Sequence, residues 1–214
     1  MIIERGSKLL MIGDSITDCG RARSVDEAAD HALGDGYVAL TDAWLRAAYP
    51  ARPVRVVNRG IGGDTVRDLR TRWQTDVLAL TPDWLSIFIG INDVWRWFGD
   101  PAQRAQHVSL DEYAATLEQL VSDTRPQLQG LVLLTPFLIE PDTREPMRAM
   151  MDRYGKVVAD VAARYDAILI DTQAAFDAVL EYVPPMALSL DRVHPFLTGH
   201  MILARAFLRG IGAA

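Results

Sequence analysis

The sequence predicts a three-layer α/β/α sandwich on a five-stranded parallel sheet. Three observations carry that prediction. Short apolar runs alternate with helix-length amphipathic segments, the pattern of a parallel sheet covered on both faces. Cap residues and prolines punctuate the boundaries. The 214 residues suffice for one sizeable core and hold no repeat, linker or low-complexity tract, so one domain spanning 1–214 is expected.

Taken in order, the first strand is Leu9–Ile12, an unbroken apolar run that Gly13 closes. A helix over Tyr37–Ala48 ends before Pro50, and a second strand covers Val54–Val57. The next helix, Thr65–Leu80, has Asp64 or Thr65 as N-cap and Pro82 beyond its end. Strand Trp84–Ile89 follows, then helix Leu110–Thr124, which Ser109 caps with Glu112 three residues on, close to a capping box. Pro126 stops that helix ahead of strand Leu131–Leu134. Helix Pro146–Tyr165, strand Ala167–Ile170 and helix Phe196–Leu208 complete the series. Right-handed crossovers leave few topologies for such a chain. Two long irregular stretches, Cys19–Gly36 and Trp95–Val108, follow strands and are expected to hang over the carboxyl edge of the sheet, where open α/β folds bind ligands.

Composition narrows the function. Half the residues are hydrophobic and 23% are charged, with a formal net charge of −6. That balance argues against nucleic acid as the main partner, because phosphate binding needs a basic surface. No stretch approaches the ~18 apolar residues of a membrane span, and no secretory signal is read at the N-terminus. A cytoplasmic setting is the expectation. Cys19 is the only cysteine, so no internal disulfide can form. No His/Cys cluster has metal-ligand spacing, so neither metal nor cofactor is expected.

The chemistry is concentrated just after the strands. Gly13-Asp14-Ser15 places a hydroxyl where a nucleophile is useful, although the triplet alone is cheap by chance. Near the other end, Leu190-Asp191-Arg192-Val193-His194-Pro195 sets an acid three residues before a His. Asp191 can orient the His194 ring through Nδ1–H, leaving Nε2 to take a proton from a serine. Alone, the same spacing also fits a helix-cap acid beside a surface His. The glycine-rich run Asn58-Arg59-Gly60-Ile61-Gly62-Gly63-Asp64-Thr65 opens a helix and leaves backbone N–H groups pointing outward. After the third strand, Gly90-Ile91-Asn92-Asp93 offers the Asn92 amide as an oxyanion donor. Taken singly, these are a tight connection and a turn former. Together they converge on one edge.

These four blocks resemble the marker blocks of the SGNH, or GDSL-type, serine esterases, in order and with none missing. The resemblance implies a flavodoxin-like sheet in the order 2-1-3-4-5. It implies Ser15 as nucleophile, His194 as base and Asp191 as its orienting acid. It also implies an oxyanion hole of the Ser15 N–H, the Gly63 N–H and the Asn92 side chain. The longer stretches 13–21, 89–96, 171–176, 191–195 and 199–204 look like the bacterial intracellular acetylxylan esterases of this superfamily. The implied substrate is an acetylated xylo-oligosaccharide or related sugar. An esterase, thioesterase or lysophospholipase for another short acyl substrate stands beside it, and a binding module on a hydrolase fold would need a broken triad.

Trp95 and Trp97 are candidates to stack on a sugar or cover the acetyl pocket, against the plainer alternative of loop packing. Asp14 reads as a structural acceptor and His200 as a packing residue of its helix. Arg21, Arg59 and Arg67 are candidates for the mouth or simply surface charge, while His31 and His107 are given no role. The aromatic stretch after Asp93 and the apolar Val183–Leu188 segment are candidates for burial in a homo-oligomer.

Overall fold

The computed structural model describes residues 1–23 and 32–214. Strands β1 (Lys8–Gly13), β2 (Arg55–Gly60), β3 (Trp84–Phe88), β4 (Gly130–Leu134) and β5 (Ile168–Ile170) pair in parallel in the order β2-β1-β3-β4-β5. Every residue of β3 and β4 is buried, as a sheet covered on both faces requires. The helices, in chain order, are α1 (Ser15–Asp18), α2 (Tyr37–Ala48), α3 (Val66–Asp76), α4 (Ile91–Phe98), α5 (Leu110–Thr124), α6 (Pro146–Arg164), α7 (Thr172–Leu180) and α8 (Leu197–Gly210). Helix α2 packs on α8 and α8 on α7, while α3 packs on α5 and α5 on α6. The core between these layers and the sheet holds Leu9–Ile12, Leu85, Ile87, Leu131–Leu134, Tyr113, Phe137 and Phe207.

The order places the switch point between β1 and β3, whose following segments diverge and open a crevice at the carboxyl edge. Gly13 lets α1 dock there. A Cβ on Gly13 would stand 2.2 Å from the Phe88 carbonyl oxygen and 2.4 Å from Thr17 Oγ1. No side chain fits between the strand end and the helix that begins at Ser15.

Four expectations need correction. β2 does not end at Val57 but runs to Gly60, because Asn58–Gly60 pair one-to-one with Met11–Gly13. The polar Asn58 is tolerated inside because its amide donates to the carbonyls of Thr17 (2.7 Å) and Leu33 (2.9 Å). The helix expected over Thr65–Leu80 ends at Asp76, and a separate 3-10 turn covers Leu78–Leu80. Val77, at φ −123°, lies outside helical geometry and breaks the run. The stretch Trp95–Val108 is not irregular: it holds the end of α4 and a 3-10 helix over Pro101–Gln106. Finally, α7 was not anticipated, although Asp171 caps it by accepting from the Ala174 N–H. Of the Cys19–Gly36 stretch, residues 24–31, including His31, lie outside the described residues.

The caps behave as read. Thr65 is the α3 N-cap, with Asp68 accepting from its N–H and hydroxyl. Ser109 Oγ accepts from the Glu112 N–H, but the Glu112 carboxylate turns to Arg67 instead of completing a box.

Candidate active site

Asp14 caps α1 by accepting from the Ile16 N–H at 3.0 Å, which fixes the first turn on which Ser15 stands. Burial pushes the Asp14 carboxyl up to about 7, Asp93 and Asp64 adding to the effect. As the first residue of α1, Ser15 has an N–H with no acceptor inside the helix. The second element is the loop from Ile61 to Thr65. Gly63 sits at φ +86°, a conformation that strains residues with a Cβ, and no acceptor takes its N–H among the described residues. Arg96 Nη2 donates to the Gly63 carbonyl at 2.8 Å and holds the loop from the crevice side.

Asn92 occupies the first turn of α4 and is buried. One N–H of its amide donates to the Asp64 carbonyl at 2.9 Å, which ties α4 to the glycine loop and leaves the second for the crevice. Its neighbour Asp93 accepts from the Val66 N–H at 3.0 Å and so caps α3 from another helix. Burial also pushes Asp93 up to about 7.

The C-terminal loop delivers the remaining groups. Asp191 Oδ1 accepts from Ser189 Oγ (2.9 Å) and from the N–H groups of Val193 (2.9 Å) and His194 (2.8 Å). Its Oδ2 lies 2.7 Å from His194 Nδ1. Partial burial raises the Asp191 pKa, but these donors, His194 first, outweigh it and hold the carboxyl well below the usual carboxylate range. The loop is pinned at Arg192, which adopts φ +65°. The Arg192 carbonyl accepts from the Ile139 N–H (2.9 Å), and its guanidinium meets Glu140 at 2.9 Å. With Nδ1–H given to Asp191, His194 Nε2 accepts from Ser15 Oγ–H at 2.8 Å. Asp191, His194 and Ser15 thus form one hydrogen-bonded chain.

The chain opens on a cavity of about 370 Å³ lined by Ser15, Gly63, Asn92, Trp95, Arg96, Gly99, Asp100, Gln103 and His194. Trp95 meets the His194 ring edge-on, with centroids 5.7 Å apart. Trp97 is not in this wall. Residues two apart on a helix point away from each other, and Trp97 packs against His107 and under Arg104 instead. An irregular reading of this stretch leaves Arg96, Asp100 and Gln103 hidden in the sequence. Their signal was there: Asn92, Trp95, Arg96 and Gly99 recur at i, i+3, i+4 and i+7. Two of the arginines considered for the mouth are otherwise engaged. Arg21 is buried against the Gly60 carbonyl, and Arg67 pairs with Glu112.

His200 is buried behind α1, as a packing residue should be. Its Nδ1 accepts from the Tyr37 N–H (3.2 Å), so Nε2–H faces Cys19 Sγ at 3.3 Å. Burial, aided by His194, lowers its pKa to about 4. The unfolded chain, with a His near 6.5, takes up this proton first, so the contribution is whole above about pH 6.5 and disappears as pH falls towards about 4. About 2 kcal/mol is expected to be lost between about pH 7 and about pH 5. Urea unfolding of wild type and His200→Asn checks this: the wild type should lose that much more over the interval, and parallel pH curves would refute it.

Fold and site together define a serine hydrolase of the α/β class. Residues 11–202 match the GDSL-like lipase/acylhydrolase family, and the chain belongs to that family. It is 57% identical over 212 residues to an acetylxylan esterase of Geobacillus stearothermophilus, covering 99% of this chain and 97% of that one. The crystal structure of Axe2, an acetylxylan esterase from the same organism, superposes with a TM-score of 0.97 at 57% identity, over 99% of this chain and 97% of that one. Variants of Axe2 described as catalytic mutants carry S15A, D191A and H194A. LAE5, an alpha/beta hydrolase from the metagenome of Lake Arreo, Spain, gives a TM-score of 0.97 at 48% identity, with 100% and 98% of the two chains covered.

Proposed function

We propose that residues 1–214 act as one domain that removes acetyl groups from acetylated xylo-oligosaccharides or closely related sugars. The observation that carries the reading is the chain from Asp191 Oδ2 through His194 to Ser15 Oγ, with links of 2.7 and 2.8 Å, opening on the Trp95-walled cavity. The catalytic mutants of Axe2, at the same three numbers and residue types, support these roles.

Ser15 Oγ attacks the acetyl carbonyl carbon while His194 Nε2 takes its proton and Asp191 stabilises the resulting imidazolium. The Ser15 N–H, the Gly63 N–H and the free N–H of Asn92 hold the oxyanion. His194 then protonates the departing sugar oxygen, leaving acetyl on Ser15. Water repeats the two steps, releasing acetate and restoring the hydroxyl. The cavity is at the small end of the ~300–1,000 Å³ range of ligand pockets. That size favours a short acyl group, and Trp95 beside polar Arg96, Asp100 and Gln103 suits a sugar ring. Asn92→Ala is expected to lower kcat by on the order of 10²–10³, measured on an acetylated xyloside.

The substrate test compares defined acetylated xylo-oligosaccharides with butyryl, octanoyl and thioester substrates. Highest kcat/KM on the acetyl sugars is expected; preference for octanoyl or thioester substrates would replace them with another acyl class. No described helix is long and apolar enough to cross a membrane. An unpaired Cys19 suits the cytoplasmic setting proposed for the enzyme. Tyr182, Met186 and Leu190 are exposed in and beside the Val183–Leu188 segment, which favours a subunit contact there. Sedimentation velocity of the purified chain decides that point.

A further inference from the structure

One side chain outside the cavity touches the backbone of several elements that build the site. Arg72 lies within α3, and its side chain is only 12% exposed. Its Nε donates to Asp64 Oδ2 at 2.7 Å. Nη1 donates to the Arg59 carbonyl and to Asp76 Oδ2, each at 2.8 Å. Nη2 donates to the Gly13 carbonyl at 3.1 Å, an oxygen that also accepts from the Ile61 N–H at 3.0 Å.

These partners are not a random sample of the core. Gly13 stands two residues before Ser15, at the point where β1 gives way to the nucleophile turn. Arg59 is the next-to-last residue of β2 and leads into the glycine loop. Asp64 closes that loop, and its carbonyl is the acceptor that orients the Asn92 amide. One guanidinium fork therefore spans two strand ends and the loop between Gly60 and Thr65. The loop contains Gly62 and Gly63, and glycine backbones restrain themselves less than those of other residues, so contacts from outside help set its geometry. A lysine cannot substitute for the fork, because a single ammonium cannot reach four such separated acceptors.

We propose that Arg72 is a positioning residue for the reaction: through Asp64 and the glycine loop it sets the Asn92 donor. It touches no substrate atom. The inference rests on the Ser15 hydrolase reading. A displacement of about 1 Å in such a group can cost on the order of 10² in rate.

The test combines Arg72→Lys with active-site titration by a serine-directed phosphonate, and with kcat and KM on an acetylated xyloside. Both wild type and Asn92→Ala serve as backgrounds. Arg72→Lys is expected to titrate to full stoichiometry, with kcat lowered on the order of 10–10²-fold and KM within about 3-fold. In the Asn92→Ala background the same substitution is expected to cost less than about 3-fold, since both changes act on one donor. Asp64→Asn, which keeps the loop's shape but weakens the Arg72 contact, should show the same non-additivity and serves if Arg72→Lys does not fold. Equal losses in both backgrounds, or a loss accounted for by reduced titre, would make Arg72 purely structural and overturn the proposal. So would unchanged kcat in both variants. A wild type that the phosphonate does not label would instead overturn the hydrolase reading, and this inference with it.

Discussion

Ser15→Ala is expected to lower kcat on the order of 10⁶-fold and to abolish covalent labelling by a serine-directed phosphonate. The magnitude follows from how such a chain works. Nucleophile and base act as one unit, so losing either removes nearly all of their joint contribution, and only oxyanion stabilisation and binding remain. The fold should not notice. Ser15 is partly exposed, its hydroxyl has His194 as its partner, and α1 is held by Asp14 rather than by Ser15. Removing a single hydroxyl at such a position changes stability by about 0.5 kcal/mol or less, or a Tm shift of about 2 °C. Mass spectrometry after labelling, with thermal melting as control, checks both halves. Turnover within 100-fold of wild type would mean that Ser15 is not the nucleophile.

Asp191→Asn is the second large effect, and its size follows from the hydrogen bonds around the carboxylate. Oδ1 accepts three bonds, from Ser189 Oγ and the N–H groups of Val193 and His194. An asparagine amide must put its oxygen there, because its NH₂ would face two backbone donors. The NH₂ is then turned towards His194 Nδ1. That nitrogen must accept, the ring proton moves to Nε2, and His194 presents a donor to Ser15 when it needs an acceptor. A loss in kcat on the order of 10⁴ is expected. Asp191→Ala imposes no tautomer, so this conservative change should cost at least as much as truncation. If Asp191→Asn retained more activity than Asp191→Ala, the amide would have to sit the other way round.

The sheet was legible because its central strands β1, β3 and β4 are largely apolar runs buried on both faces and the edge strands keep shorter apolar runs, and such runs need no tertiary information to recognise. The blocks at Ser15, Gly63, Asn92 and Asp191/His194 were legible because three of them follow strands and the fourth lies in the last loop, in the order the resemblance implies. The failures share a cause. Asn58, Asn92 and Asp93 are polar residues that normally serve their own local turns, yet here each satisfies a distant segment. Asn58 bonds to the Thr17 and Leu33 carbonyls, Asn92 to the Asp64 carbonyl and Asp93 to the Val66 N–H. Read locally, they end β2 too soon and dissolve α4 into a loop. With α4 went the cavity wall, including Arg96, and the reason why Trp95 faces His194 while Trp97 does not. Arg72 was invisible for another reason: its four acceptors belong to elements up to 59 residues away in sequence.

The bond between Ser15 and His194 joins residues 179 apart. Contacts of that separation close the largest loops and tend to form late. During synthesis, β1 and α1 emerge long before the loop pinned at Ile139 and Glu140 can bring its imidazole. A nascent chain can thus have made all five of its strands and still be unable to cleave an ester. Refolded enzyme should likewise recover secondary structure ahead of turnover, so regain of hydrolysis times the docking of that last loop and not the assembly of the sheet.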